Sequence, residues 1–109
     1  MQKRLVIDLD GTLCSLSAGG EDYYKASPHN EMIEKVNTYH RAGWHITIFT
    51  ARGMQTYGNA AAAERAHGLR TRYWLRDNNV AFDTLKFGKP PADLYVDDKG
   101  MLPDEFRNT

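Results

Sequence analysis

The sequence predicts an α/β fold: a mostly parallel sheet with helices packed on its faces in three layers. Two observations carry that expectation. Short apolar, β-branched segments alternate with longer segments of helical periodicity along the chain. Most of the strand-like segments also run into polar residues at their carboxyl ends, where ligands sit in parallel sheets of this kind.

Leu5-Val6-Ile7 reads as a buried first strand that turns polar at Asp8-Leu9-Asp10-Gly11. Leu13 to Ala26 is a loop with two glycines and a tyrosine pair, Tyr23 and Tyr24. Ser27-Pro28 predicts an N-cap with proline at the first helical position. Met32, Ile33, Val36 and Tyr39 follow at helical spacing, with Gly43 as the stop. Trp44 to Thr50 alternates with β-branched residues and predicts a second strand. One helix is expected from about Tyr57 to Asp77, with Ala62, Ala66, Leu69 and Tyr73 facing inward and Gly68 marking a bend. Asn78-Asn79 signals a turn, and the later half of Val80 to Phe87 a third strand. After the Gly88-Lys89-Pro90-Pro91 loop, Leu94-Tyr95-Val96 predicts a fourth strand ending in Asp97-Asp98. The tail after Gly100 is expected to be a turn or a short helix.

With 109 residues the chain reads as a single domain spanning residues 1–109, with one modest core. Its formal net charge of zero gives no general attraction to nucleic acid or membranes. Cys14 is the only cysteine, which rules out an internal disulfide and suits a reducing, cytoplasmic setting. No apolar run approaches the ~20 residues of a membrane helix, and the start of the chain does not resemble a secretion signal.

The chemistry lies in what the topology gathers at one rim. Asp8 and Asp10, two apart on a strand end, point to the same side, with Leu9 turned away. Asp97 and Asp98 are expected to bring two more carboxylates to that rim. Taken singly, aspartates end strands because they favour turns. Four together repel unless a cation intervenes, and an all-oxygen set suits Mg²⁺. Thr50 and Lys89 end the other two strands and offer a hydroxyl and a positive charge for phosphate oxygens. In that arrangement Asp8 attacks phosphorus and Asp10 moves the proton.

Asp8-Leu9-Asp10-Gly11-Thr12 resembles the first motif, DxDGT, of the haloacid-dehalogenase-like (HAD) phosphatase superfamily. Thr50-Ala51-Arg52 is similar to its second motif, Gly88-Lys89-Pro90 to its third, and Leu94-Tyr95-Val96-Asp97-Asp98 to its acidic fourth. The resemblance runs from Leu5 to about Lys99 and implies a Rossmann-like core. It makes Asp8 nucleophile and metal ligand, and Asp10 general acid/base and, through its carbonyl, metal ligand. Thr50 and Lys89 are then phosphate-binding, with Lys86 the rival to Lys89. Asp97 becomes the second metal carboxylate, while Asp98 ligates through water or pairs with the lysine. The spacing between motifs leaves no room for a cap domain, so a capless member with an open site is expected. The stretch Tyr23 to Pro28 and the Asp-Asp-Lys ending are similar to small phosphatases found with capsule and lipopolysaccharide sugar biosynthesis.

Other features carry less. Arg52 is a candidate for a second anionic group of the substrate, or else a surface ion pair. Tyr23 and Tyr24 either flank the substrate or pack within their loop. Cys14 has nothing near it in sequence that would activate a thiol, and His29, His40, His45 and His67 show no ligand spacing. Arg65, Arg70, Arg72 and Arg76 read first as a solvated helix face. Trp44 and Trp74 are expected in the core or an interface. The expected function is Mg²⁺-dependent hydrolysis of a small phosphorylated metabolite such as a sugar phosphate, with a homo-oligomer compatible with an open rim. The alternatives are a phosphatase of nucleotides or polynucleotide ends, and a non-catalytic binding protein that keeps the fold.

Overall fold

A computed structural model describes residues 1–109. Three strands form: β1 (Arg4–Ile7), β2 (His45–Thr50) and β3 (Thr84–Phe87). They pair in parallel in the order β1-β2-β3, with Ile7 opposite Ile48 and Thr50 opposite Phe87. Four helices fill the remaining segments: α1 (Asn30–Arg41), α2 (Met54–Tyr57), α3 (Ala60–Asp77) and α4 (Pro103–Arg107). A 3₁₀ turn spans Gly20–Lys25. This is the α/β class the sequence predicts, a small Rossmann-like arrangement in which helical segments connect parallel strands. No helix is long and apolar enough to cross a membrane.

The periodicities explain the core. In β2 the residues at every second position, Ile46, Ile48 and Thr50, are buried. α1 buries Met32, Ile33 and Val36, the face its spacing predicts. Leu9, Leu13, Leu75, Leu85 and Phe87 join them in one cluster. Trp74 lies in that cluster and donates from its indole N–H to the Ala26 carbonyl at 3.3 Å, while Trp44 packs edge-on to Tyr39 at its margin. The short tail helix α4 buries Phe106 against Tyr39.

Five expectations change. α1 starts at Asn30, because the Ser27–Pro28 stretch stays extended: Pro28 bridges Cys14 and the Ser27 carbonyl accepts from Ser15. The expected long helix splits at Gly58, whose φ of 74° is left-handed, and restarts where the Asn59 side chain accepts from the Ala62 N–H at 2.9 Å. The inner stripe of α3 is Ala63, Gly68, Thr71, Trp74 and Leu75, leaving Leu69 and Tyr73 exposed, and the helix runs unbroken through Gly68.

The fourth strand does not form. Leu94 and Val96 are 78 % and 86 % exposed and pair with nothing. An apolar, β-branched composition makes a strand only where a neighbouring strand offers a surface to pack on. Here the chain leaves β3 through Pro90 and Pro91 and folds back on its own loop, with the Tyr95 hydroxyl donating to the Pro90 carbonyl at 2.5 Å.

Candidate active site

The site grows out of the end of β1. Beyond Ile7 the chain turns tightly, and the Leu9 carbonyl accepts from the N–H groups of Thr12, Leu13 and Cys14. Leu9 and Leu13 are fully buried, so the turn is anchored in the core, and Asp8 and Asp10 stand on the other side of the chain. Both line a polar cavity of about 580 Å³ at the carboxyl edge of the sheet, together with Leu16, Ser17, Tyr23, Gln55, Thr56, Lys89, Asp93 and Tyr95.

Lys89 follows β3 and is the lysine that reaches this cavity. Its Nζ lies 3.4 Å from Asp8 Oδ1 and 4.2 Å from the centre of the Tyr95 ring. Its backbone N–H donates to the Thr50 carbonyl at 3.2 Å, fixing the loop to the end of β2. Gly88 makes that turn feasible: φ is 101°, and a Cβ there would sit 2.8 Å from the Ala60 Cβ. Lys86, opposite Phe49 in the ladder, is exposed and has its Nζ over the Phe49 ring instead. The Thr12 hydroxyl donates to Asp8 Oδ2 at 3.4 Å.

Arg52 departs from both sequence readings of it. It is 1 % exposed, so it is neither a surface ion pair nor a free anchor for a substrate anion. Its Nε and Nη2 donate to Asp10 Oδ2 and Oδ1, each at 2.9 Å. The physical reason is the Gly53 turn after β2, which tucks the side chain between Asp10, α3 and the Tyr23 carbonyl. Thr50 is likewise fully buried and does not line the cavity, and its hydroxyl oxygen accepts from the Arg52 N–H at 3.1 Å. It therefore shapes the turn instead of presenting a hydroxyl to a phosphate.

The expected four-carboxylate cluster is not assembled, and no group of three or more His, Cys, Asp or Glu side chains is placed to hold a metal. Asp97 and Asp98 are the reason: with no fourth strand to carry them to the rim, they stay on the exposed loop. Asp97 Oδ1 accepts from the N–H groups of Lys99 and Gly100 at 2.6 and 3.1 Å, and Asp98 pairs with Lys99 in solvent. From that segment it is Asp93 that lines the cavity. The oxygens that remain at the β1 end are the Asp8 carboxylate, one-third exposed, and the Asp10 backbone carbonyl, which accepts none of the loop hydrogen bonds. That donor set is all oxygen and suits a hard, largely hydrated cation.

Behind the cavity lies a cluster that no local pattern of residues announces. The Tyr24 hydroxyl and His67 Nδ1 are 2.6 Å apart, and the Tyr23 ring meets His67 edge-on at 5.3 Å. Burial, with help from Arg52 and Arg70, holds the His67 imidazole below the usual histidine range, and burial raises the Tyr24 phenol. Both groups are thereby kept neutral. Cys14 is buried beside Asp10, its Sγ 3.5 Å from Asp10 Oδ1. Burial, and next the Asp10 charge, push its thiol up to about 12, which makes it inert at neutral pH.

Fold and rim together define a small α/β domain with paired aspartates and a lysine at the strand ends. A crystal structure of a structural-genomics target from Vibrio cholerae superposes with a TM-score of 0.87 and 36 % identity, over 99 % of this chain and 89 % of that one. The chain belongs to the same family as that protein. Two structures of Pnkp1/Rnl/Hen1, one of them the RNA repair complex, share the fold with TM-scores of 0.61 and 0.58 at 17 % and 14 % identity. This chain spans 31 % and 30 % of the chains it matches there. No family model and no curated protein matches the sequence.

Proposed function

We propose that the protein is a Mg²⁺-dependent phosphomonoester hydrolase of the haloacid-dehalogenase-like type, a single capless domain acting through an aspartyl phosphate on Asp8. The observation that carries this reading is the Asp8 carboxylate, 3.4 Å from the Lys89 ammonium, at the wall of a polar cavity that Asp10 also lines. Mg²⁺, held by the Asp8 carboxylate and the Asp10 carbonyl, would supply neutralisation of charge on the phosphate oxygens.

The chain's own groups supply the steps. Lys89 holds the substrate's phosphate beside Asp8. An Asp8 oxygen bonds to phosphorus as the ester P–O bond breaks, and Asp10 gives its proton to the departing oxygen. Water then attacks the acyl phosphate. Its proton passes to Asp10, inorganic phosphate leaves, and Asp8 is regenerated. A free, buried cysteine suits a reducing, cytoplasmic setting.

A small phosphorylated metabolite, a sugar phosphate first, fits the cavity's size and polar lining. A second reading, a phosphatase of nucleotides or RNA ends, is favoured by the fold shared with the RNA repair complex. Two of the four arginines of α3 are already engaged, Arg70 with Glu21 and the Tyr24 ring and Arg76 with Asp77 and the Tyr73 ring.

The test is a screen of sugar phosphates, nucleotides and 3′-phosphorylated oligonucleotides with and without Mg²⁺, with Asp8→Asn as control. Turnover should require Mg²⁺, favour a small ester, and fall at least about 10³-fold in Asp8→Asn. Turnover that survives that substitution refutes the nucleophile, and no turnover of any ester leaves a non-catalytic binding protein.

A further inference from the structure

We propose that Arg52 is a positioning residue that orients Asp10 for proton transfer and ties it to the Tyr23 wall of the cavity. The proposal rests on the phosphatase reading above and assigns a task to a residue that the mechanism does not otherwise use.

All three guanidinium nitrogens donate to acceptors of the protein itself. Two parallel bonds of 2.9 Å run to the two Asp10 oxygens, Nη1 donates to the Thr71 hydroxyl of α3 at 3.3 Å, and Nη2 also donates to the Tyr23 carbonyl at 3.4 Å. Its carbon lies 4.6 Å from the centre of the Tyr23 ring. The side chain has no exposed surface, whereas Asp10 keeps 20 % of its own. Arg52 is itself part of the cavity wall, but its side chain has no exposed surface, so it acts on substrate through Asp10 and Tyr23, which line the cavity beside it.

A fork of this kind fixes the carboxylate plane, which one point charge cannot do. Oδ1 also accepts the weak Cys14 thiol contact at 3.5 Å, whereas Oδ2 accepts only from Arg52 Nε and retains a lone pair for a proton. Asp10 is thus aimed without being exhausted, which a group that gives and takes a proton within hydrogen-bond reach requires. The same guanidinium also contacts the Gly20–Lys25 turn, which buries no residue of its own and is held besides by Tyr24 on His67 and Glu21 on Arg70.

The experiment compares kcat/KM for two esters. A simple alkyl phosphate needs its leaving oxygen protonated, whereas 2,4-dinitrophenyl phosphate does not. Arg52→Lys keeps the charge and loses the fork. It should lower kcat/KM for the alkyl ester about 10²-fold and for the dinitrophenyl ester less than about fivefold. A merely structural role would lower both together, and that result overturns the proposal.

The double variant Asp10→Asn/Arg52→Gln removes both charges at once and guards against a variant that does not fold. Its alkyl-ester kcat/KM should equal that of Asp10→Asn alone, because Arg52 acts through Asp10. A further loss of about tenfold or more overturns the proposal. Wild-type protein inert toward both esters refutes the phosphatase reading itself, which separates the two failures.

Discussion

Two loops leave strand ends at the same rim, and they differ in what holds them. The loop after β1 is pinned: Leu9, Leu13 and Cys14 are buried, its amides converge on one carbonyl, and Arg52 grips Asp10. The loop after β3 is pinned only as far as Lys89. Every residue from 90 to 100 is exposed, and its aspartates bond to their own turn. Both loops carry an aspartate pair, yet only one pair faces the cavity. A carboxylate becomes part of a site when packing removes the chain's other options, and a motif alone does not do that.

The largest test of this contrast is thermodynamic. Leu9→Ala should cost about 2–5 kcal/mol, since it empties a fully buried position beneath Asp8 and Asp10. Val96→Ala, at an 86 % exposed position, should change stability by less than about 0.5 kcal/mol. Denaturant unfolding of both variants measures the difference. A comparable cost at Val96 would mean that residues 94–96 are packed in solution, and the comparison would break.

What the sequence makes legible follows the same line. β2 and the inner face of α1 repeat with the period of their own element, so their burial can be read without knowing the neighbours, whereas Val6 of the apolar run Leu5-Val6-Ile7, expected to be buried, is 62 % exposed on an edge strand. Asp8 and Asp10 are legible for the same reason, standing on one side of a strand end. Residues 94–96, Leu-Tyr-Val, form a short apolar run as β1 does, but strand formation there depends on a partner the local sequence does not specify. Arg52 is the opposite case. Arginine is rarely buried, and nothing near it in sequence announces that Asp10, Thr71 and the Tyr23 carbonyl close around it. The Gly58-Asn59 break between α2 and α3 was readable, since Asn is a strong N-cap, but the alanine run that follows draws the helix across it.

A smaller effect sharpens the pinned side. The Cys14 thiol has a folded-state pKa raised to about 12 by burial beside Asp10. The folded chain therefore keeps its proton where the unfolded chain, with a thiol near 8.5, loses it. The resulting stability is full below pH ~8.5 and is lost as pH rises towards about 12. Melting followed from pH 8 to 11 should show wild type falling more steeply than Cys14→Ala, whatever the offset between them at pH 8. Equal slopes would mean that the thiol is solvated and the loop after β1 looser than its packing implies.

The smallest expected effects lie on the exposed loop, and they discriminate most finely. Asp97→Asn and Asp98→Asn should each leave kcat/KM and the Mg²⁺ concentration for half-maximal activity within about twofold, because both carboxylates are committed to their own turn or to solvent. Asp93→Asn should shift the Mg²⁺ requirement more, by a few-fold, since Asp93 adds its field to the cavity. The order of the three matters more than their size. If Asp97→Asn has the largest effect, the segment docks against the rim during turnover, and its exposed apolar residues, Leu94 and Val96, are the surface that docks. If Asp93→Asn does, the rim works as it stands, with the acidic charge supplied from β1 and from the first residues after Pro91.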